Sequence, residues 1–91
     1  MQIDMKKLEE LYGKSLFKEM DDDIDNLVNN IKYLIKLEFD DVYDIIEINP
    51  YLFLLDTNDF KERINELIFS LGVEYLQILA EDTSYWGKIE C

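Results

Sequence analysis

The sequence contains no histidine, one cysteine, one proline and three glycines among its 91 residues. Without histidine, the chain lacks the commonest general base and the commonest zinc ligand. The single cysteine, Cys91, excludes an intrachain disulfide. The scarcity of glycine and proline disfavours a β-sandwich or barrel, because both need frequent turn residues. These absences favour a helical protein without a disulfide framework.

Long hydrophobic runs are also missing. No apolar stretch approaches the roughly 18 residues that a transmembrane helix needs. The first residues are neither basic nor followed by an apolar segment, so no signal peptide is predicted. We therefore expect a cytoplasmic protein that does not contact a membrane. Since no glycine-rich phosphate loop or activated nucleophile is recognisable, we expect neither enzymatic activity nor a bound cofactor.

What the sequence does contain is acidic and hydrophobic residues. It has 21 aspartates and glutamates against 9 lysines and arginines, which gives a formal charge of −12 and a pI near 4.1. Hydrophobic residues make up 48% of the chain, too many for a disordered acidic tail. The charge has two interpretations. It repels nucleic acid and attracts basic surfaces, or it serves only to keep the protein in solution.

The spacing of the apolar residues predicts an all-α fold of about five short helices, packed as stacked helical hairpins in a single domain, residues 1–91. We divide it into N-terminal helices (1–20), two hairpin-like repeats (21–82) and a C-terminal tail (83–91). Predicted helices cover residues 4–12, 21–37, 40–49, 58–71 and 73–81, and residues 14–20 are consistent with another helical turn or two. Residues 51–55 are interpreted as a buried turn or short helix. Trp86 predicts that the tail folds back onto the domain.

The clearest helix follows the aspartate triplet at 21–23, which we expect to cap it. Its apolar stripe consists of Ile24, Leu27, Val28, Ile31, Leu34 and Ile35. The opposite, polar face is predicted to carry Asp25, Asn29, Asn30, Lys32 and Lys36. Asp4 is a candidate cap for the helix at 4–12, and Asp40 and Asp41 are expected to start the helix at 40–49. Asp56, Thr57 and Asn58 are alternative caps for the helix at 58–71, and Leu76, Leu79 and Ala80 are predicted to face inward in the last helix.

An internal repeat is visible at an offset of about 33 residues, a period typical of stacked helical hairpins. The run Ile31-Lys-Tyr-Leu34-Ile35 corresponds to Ile64-Asn-Glu-Leu67-Ile68. The segment Ile45-Ile46 … Asn49-Pro50-Tyr51-Leu52, followed by Arg63-Ile64 … Leu67 … Leu71-Gly72-Val73, resembles a helical repeat of the mitochondrial transcription termination factor family. The resemblance covers about residues 28–86 and rests on hydrophobic spacing, one proline and one glycine.

Members of that family bind nucleic acid along a basic concave surface. In this chain the matching helices carry only two cations, Lys61 and Arg63, against eight acidic residues, Asp40, Asp41, Asp44, Glu47, Asp59, Glu62, Glu66 and Glu74. A surface of this sign loses the counterion release that supplies most non-specific affinity for nucleic acid. The resemblance therefore implies the fold, while we expect no direct binding of nucleic acid.

A metal site is not predicted. The run Asp21-x-Asp23-x-Asp25 begins like a calcium-binding loop, but Asn26 stands where that loop needs glycine and Lys32 stands where it needs a bidentate glutamate. The paired carboxylates elsewhere have no histidine beside them, so they are interpreted as a solvated acidic face.

Two acidic clusters form the predicted partner-binding surface. The first contains Asp21, Asp22, Asp23 and Asp25, and the second contains Glu38, Asp40, Asp41, Asp44 and Glu47, with Tyr43 as an aromatic anchor. Carboxylates on a rigid helical scaffold imitate a row of phosphates. Of the other neighbouring aromatic residues, Tyr33, Phe39 and Tyr51, we assign Phe39 to the core.

We therefore expect a non-enzymatic binding protein that occupies a basic surface of a protein partner, as a phage or mobile-element inhibitor of a nucleic-acid-processing host protein. Two alternatives stay open. One is a structural or regulatory interaction module or homodimer, with Tyr51–Leu55 and Trp86 forming an apolar seam. The other is a nucleic-acid-associated repeat protein like the family named above.

Overall fold

The structure, a computed structural model, describes residues 3–19 and 23–89. Within these ranges the chain forms seven α-helices and one 3₁₀ helix, and no strand. In chain order they are α1 (Met5–Tyr12), α2 (Lys14–Glu19), α3 (Ile24–Lys36), α4 (Val42–Ile48), the 3₁₀ helix (Pro50–Leu54), α5 (Thr57–Leu71), α6 (Tyr75–Glu81) and α7 (Ser84–Gly87).

The predicted all-α class is confirmed. The described residues contain more α-helices than the five or so expected, because residues 14–19 and 84–87 are helical where the sequence indicated uncertain turns and a tail. Residues 50–54 form the short helix that was one of two interpretations of that segment. In the part of the chain that the structure describes, no helix has the length and apolarity needed to cross a bilayer.

The aspartates before the helices differ in how they cap them. The side chain of Asp4 accepts hydrogen bonds from the N–H groups two and three residues ahead, at 3.1 and 3.2 Å. Asp56, one of three candidate caps for α5, accepts one from Asn58 N–H at 3.1 Å. Asp23 and Asp41 precede α3 and α4 but their side chains make no such bond. The predicted capping by Asp4 and the predicted start of a helix at Asp40-Asp41 are therefore confirmed. Of the triplet expected to cap α3, Asp23 does not do so, and Asp21 and Asp22 lie outside the described residues.

The core is built around α3, which packs against the 3₁₀ helix, α4 and α5. From the predicted stripe of α3, Leu27, Ile31 and Leu34 are fully buried. Phe53 of the 3₁₀ helix and Phe60 of α5 are also fully buried, and their ring centroids lie 5.2 Å apart. Burying each of these aromatic side chains stabilises the fold by roughly 2–3 kcal/mol. α6 packs against α5, so the helices adjacent in sequence, α3 with α4 and α5 with α6, are in contact.

Asn30 was predicted to lie on the polar face of α3, and this prediction is wrong. Its side chain is completely buried. Its Nδ2 donates hydrogen bonds to the backbone carbonyls of Phe53 and Leu55, both at 2.9 Å. These carbonyls lie at the end of the 3₁₀ helix, where the helix itself supplies no N–H partner. The Asn30 side chain therefore joins α3 to the turn between the 3₁₀ helix and α5.

Two further predictions about exposure are wrong. Ala80 of α6 is exposed, although it was expected to face inward. In the predicted homodimer seam, Leu52, Phe53 and Trp86 are at most 1% exposed, because they belong to the core of the single chain. Tyr51 is the exposed member of that segment, at 61%. These three residues of the predicted seam are therefore covered by other residues of the same chain.

Tyr12 connects α1 to the 3₁₀ helix. Its side chain is buried, and its hydroxyl donates a hydrogen bond to the carbonyl of Pro50 at 2.6 Å. Burial disfavours the charged phenolate and raises the pKa of Tyr12 well above its usual value. The neutral hydroxyl is thus the form that the fold stabilises.

The raised pKa of Tyr12 predicts a loss of stability in alkali. Above pH 10 the unfolded chain releases the Tyr12 proton while the folded chain keeps it, so the free energy of unfolding falls by about 1.4 kcal/mol per pH unit until the folded pKa is reached. Below pH 10 this contribution is complete and constant. Urea denaturation at pH 8 and pH 11 measures it. In Tyr12→Phe the free energy of unfolding is expected to fall less steeply with pH above pH 10, whereas Tyr51→Phe keeps the slope of the original chain. Equal slopes in both variants would contradict the assignment of this effect to Tyr12.

Candidate functional site

The connection between α3 and α4 begins with a helix end of a defined type. Phe39 N–H donates to the carbonyl of Leu34 at 3.2 Å, and Glu38 N–H donates to the carbonyl of Ile35 at 2.9 Å. This pair of bonds is the Schellman motif, which places one residue in the left-handed region and packs the next against the helix. Here the left-handed residue is Glu38, with φ +72°, and the packed residue is Phe39, which is 7% exposed.

Glu38 occupies a position that normally belongs to glycine. The glycines that end α1 and α5, Gly13 and Gly72, have φ values of +87° and +84°, and among the described residues Glu38 is the non-glycine residue with positive φ. A side chain in this conformation costs about 1 kcal/mol. The fold therefore holds a carboxylate at this turn at the expense of stability.

A groove of about 280 Å³ lies beside this turn, between residues 38–41 and the helices α6 and α7. We call it the acidic groove. Its apolar lining comes from Phe39, Leu76, Leu79, Ala80 and Trp86. Its acidic lining comes from Glu38, Asp40 and Asp41. None of the described residues that line it is a cation.

The lining residues differ in exposure, which gives the acidic groove a closed base and an open rim. Trp86, Leu79 and Phe39 are 1%, 2% and 7% exposed. The rings of Phe39 and Trp86 meet edge to face, with centroids 5.4 Å apart. Glu38 and Asp40 are exposed to solvent. The groove thus combines an apolar base with a negatively charged rim.

Hydrogen bonds fix the position of α7, the helix that carries Trp86. Asp82 accepts hydrogen bonds from Ser84 N–H at 3.1 Å and from Ser84 Oγ at 2.6 Å, and these bonds lower the pKa of the Asp82 carboxyl. Asn49, which follows α4, donates from Nδ2 to the carbonyls of Trp86 and Ile89 at 3.0 and 3.2 Å. The predicted folding back of the tail is confirmed for residues 83–89 by these contacts and by the burial of Trp86; Glu90 and Cys91 lie outside the described residues.

The structure brings together part of the second predicted cluster. Glu38, Asp40 and Asp41 line the acidic groove. Asp44 and Glu47 are exposed on α4 and do not line it. They remain predicted contact residues on a neighbouring helix.

Tyr43, the predicted aromatic anchor, is engaged by the N-terminal segment. Its hydroxyl oxygen accepts a hydrogen bond from Asp4 N–H at 2.7 Å, and Lys7 Nζ lies 5.0 Å from the centroid of its ring. The side chain is half-buried. Tyr43 therefore holds α1 against α4, and its contact with a partner stays a prediction.

The first predicted cluster is separate from the acidic groove. Asp23 is half-buried before α3, and Asp25 is exposed in the first turn of that helix. Neither lines the groove. Asp21 and Asp22 lie outside the described residues.

Several cations of the chain are gathered elsewhere. Lys32, Lys36 and Lys61 line a second, more open pocket between α3 and α5, together with Asn29, Tyr33 and Thr57. Within residues 3–19 and 23–89, no carboxylate contributes to this lining. Lys61 Nζ lies 5.3 Å from the centroid of the Tyr33 ring, a cation–π arrangement. This pocket and the acidic groove therefore carry opposite charges, whereas on the outer face of α5 Lys61 and Arg63 lie beside Glu62 and Glu66.

Sequence reasoning missed the apolar half of the acidic groove. Leu79 was expected to face inward and Trp86 to fold back, but nothing in the local pattern placed either one next to Phe39. The helix end at Glu38 was missed because glycine, the usual signal for that motif, is absent from the position. The one signal in the sequence was the acidic run 38–41 around a single aromatic residue.

Comparisons with protein-family models, with curated proteins and with solved structures gave no match for this chain.

Proposed function

We propose that the chain is a non-enzymatic binding module that occupies a basic surface of a protein partner, with the acidic groove and the neighbouring face of α4 as its contact surface. The partner class that fits is a nucleic-acid-processing protein, whose substrate groove is already built to bind rows of negative charge. The module competes with nucleic acid for that groove and does not bind nucleic acid itself.

The observation that carries this proposal is the pairing of charge with an apolar base. Glu38, Asp40 and Asp41 line one groove with no compensating cation among its described lining residues, and buried Phe39 and Trp86 close its base. Exposed carboxylates mainly steer a basic partner and set the rate of encounter. Apolar contact surface adds the affinity that charge alone does not give.

The uneven distribution of charge supports the same proposal. A partner surface rich in lysine and arginine is attracted to the acidic groove and repelled by Lys32, Lys36 and Lys61 between α3 and α5. Opposite charges at these two sites orient the encounter and suppress wrong docking geometries.

The experiment is a displacement assay. A fluorescent DNA duplex is bound in turn to each member of a panel of purified basic nucleases and DNA-binding proteins, and the chain is added as competitor. We expect displacement from at least one member, with an affinity that falls by about tenfold between roughly 50 and 200 mM salt because the interaction is electrostatic. Failure to displace DNA from any member would overturn the proposal. So would an inhibition constant, calculated with the DNA affinity measured at each salt concentration, that salt does not change.

Matched variants locate the contact surface. Glu38→Gln/Asp40→Asn/Asp41→Asn removes three charges at the acidic groove, and Asp59→Asn/Glu62→Gln/Glu66→Gln removes three exposed charges on α5. Both reduce the net charge by the same amount. We expect the groove variant to weaken displacement by about tenfold or more and the α5 variant by less than about threefold. Equal losses would show that net charge, and not the groove, drives binding.

A further inference from the structure

We infer that the acidic groove receives the side chain of one arginine from the partner, an inference that rests on the proposed function. An occupant must match two neighbouring environments, an apolar base and a rim of carboxylates. An arginine side chain offers both, since its methylene stem packs along apolar surface while its guanidinium stays with charge and solvent.

The size of the groove limits what enters it. Its volume of about 280 Å³ lies below the range of roughly 300–1,000 Å³ typical of sites for drug-sized ligands. The groove has room for one long side chain. The partner backbone is then left to contact the rim.

The rim favours arginine over lysine. Acidic residues Glu38, Asp40 and Asp41 flank the groove within four consecutive positions. The planar guanidinium has five N–H donors and can bind more than one carboxylate at once, whereas the ammonium of lysine is a point charge.

The backbone at Glu38 agrees with a binding role for this residue. Glycine satisfies the left-handed position at φ +72° without strain, and the chain uses glycine for that purpose at two other helix ends. Retaining glutamate here keeps an acidic side chain on the rim of the groove. Strained residues of this kind concentrate at binding sites.

The chain carries a built-in reporter for the experiment, because its single tryptophan lines the groove. Blocked pentapeptides with a central arginine, lysine, citrulline or norleucine among glycines are titrated, and Trp86 emission and ¹⁵N NMR shifts are followed. We expect the arginine peptide to bind at about 1–10 mM and to shift residues of the acidic groove. The lysine peptide should bind less tightly, and the uncharged citrulline and norleucine peptides at least about tenfold less tightly.

Four results of the peptide titrations would overturn the inference. Equal binding of the arginine and norleucine peptides would show that charge is irrelevant to the groove. Equal binding of the arginine and citrulline peptides would show the same. Shifts confined to residues outside the groove would place the arginine elsewhere. Tighter binding of the lysine peptide would overturn the choice of arginine.

Two variants of Glu38 separate its charge from its conformation. Glu38→Gln removes the charge and keeps the strained turn, and Glu38→Gly removes both. We expect both variants to weaken binding of the arginine peptide by about threefold, while only Glu38→Gly raises the denaturation midpoint. Unchanged binding in both would remove Glu38 from the site.

The outcomes for this inference and for the proposed function are distinguishable. If the chain displaces DNA from an enzyme in a groove-dependent way but ignores the arginine peptide, the proposed function stands and the arginine inference falls. If the peptide binds in the groove but no enzyme is displaced, the groove is a site for arginine and the proposed function falls.

Discussion

Replacing Asn30 with aspartate is expected to lower the free energy of unfolding by about 3–5 kcal/mol, the cost typical of an uncompensated charge in a protein core. Asn30 is completely buried, and its Nδ2 donates to two carbonyl oxygens, those of Phe53 and Leu55. A carboxylate cannot donate to them and repels both. A domain of this size is stable by only about 5–14 kcal/mol, so the variant is expected to be marginally folded.

The protonation of the introduced carboxyl gives the effect a recognisable pH dependence. Burial raises the pKa of the new group above its value in the unfolded chain, so the defect is smallest below about pH 4 and grows as the pH rises. The neutral acid can donate one hydrogen bond to a carbonyl, which the carboxylate cannot.

Asn29→Asp is the matched control, because the neighbouring asparagine undergoes the same chemical change at an exposed position of α3. We expect it to change stability by less than about 0.5 kcal/mol. Asn30→Ala removes the donors without adding charge and should cost about 2–3 kcal/mol. Urea denaturation midpoints at pH 7 measure all three variants. If Asn30→Asp and Asn29→Asp behaved alike, Asn30 would not be buried as described.

Asn30 also shows where interpreting the sequence succeeded and where it failed. Its position, three residues after Leu27 and four before Leu34, lies on the apolar stripe of α3, but its polarity assigned it to the opposite face. Spacing was the correct guide and residue type was not, because a buried amide is acceptable when backbone carbonyls satisfy its N–H groups. The carbonyls that do so come from 23 and 25 residues further along the chain.

The helices themselves were predictable because their signals are local. Apolar residues three and four apart predicted α3 and α5, and the proline at position 50 predicted where α4 ends. The acidic groove was not predictable as a whole, because Phe39 and Trp86 are far apart in sequence and meet only in the folded chain. Amphipathic spacing indicates which side of a helix is buried, but it does not say which other helix covers it.

Replacing Trp86 with alanine is expected to lower the free energy of unfolding by about 3–5 kcal/mol, the usual cost of deleting a fully buried aromatic side chain. Trp86 is 1% exposed and meets Phe39 edge to face. α7 has only four residues, so its own hydrogen bonds cannot hold it folded. The packing of Trp86, together with the hydrogen bonds from Asn49, therefore keeps α7 on α4.

Tyr85→Ala is the control for this prediction, because Tyr85 is an adjacent aromatic residue that is only half-buried. We expect it to cost about 1 kcal/mol, and Trp86→Phe, which keeps an aromatic ring, to cost less than Trp86→Ala. Thermal and urea denaturation report the stabilities, and arginine-peptide binding followed by NMR reports the groove. Because Trp86 forms part of the base of the groove, Trp86→Ala should weaken peptide binding even at temperatures where the variant is folded. A stable Trp86→Ala variant with unchanged binding would separate the tail from both the core and the groove.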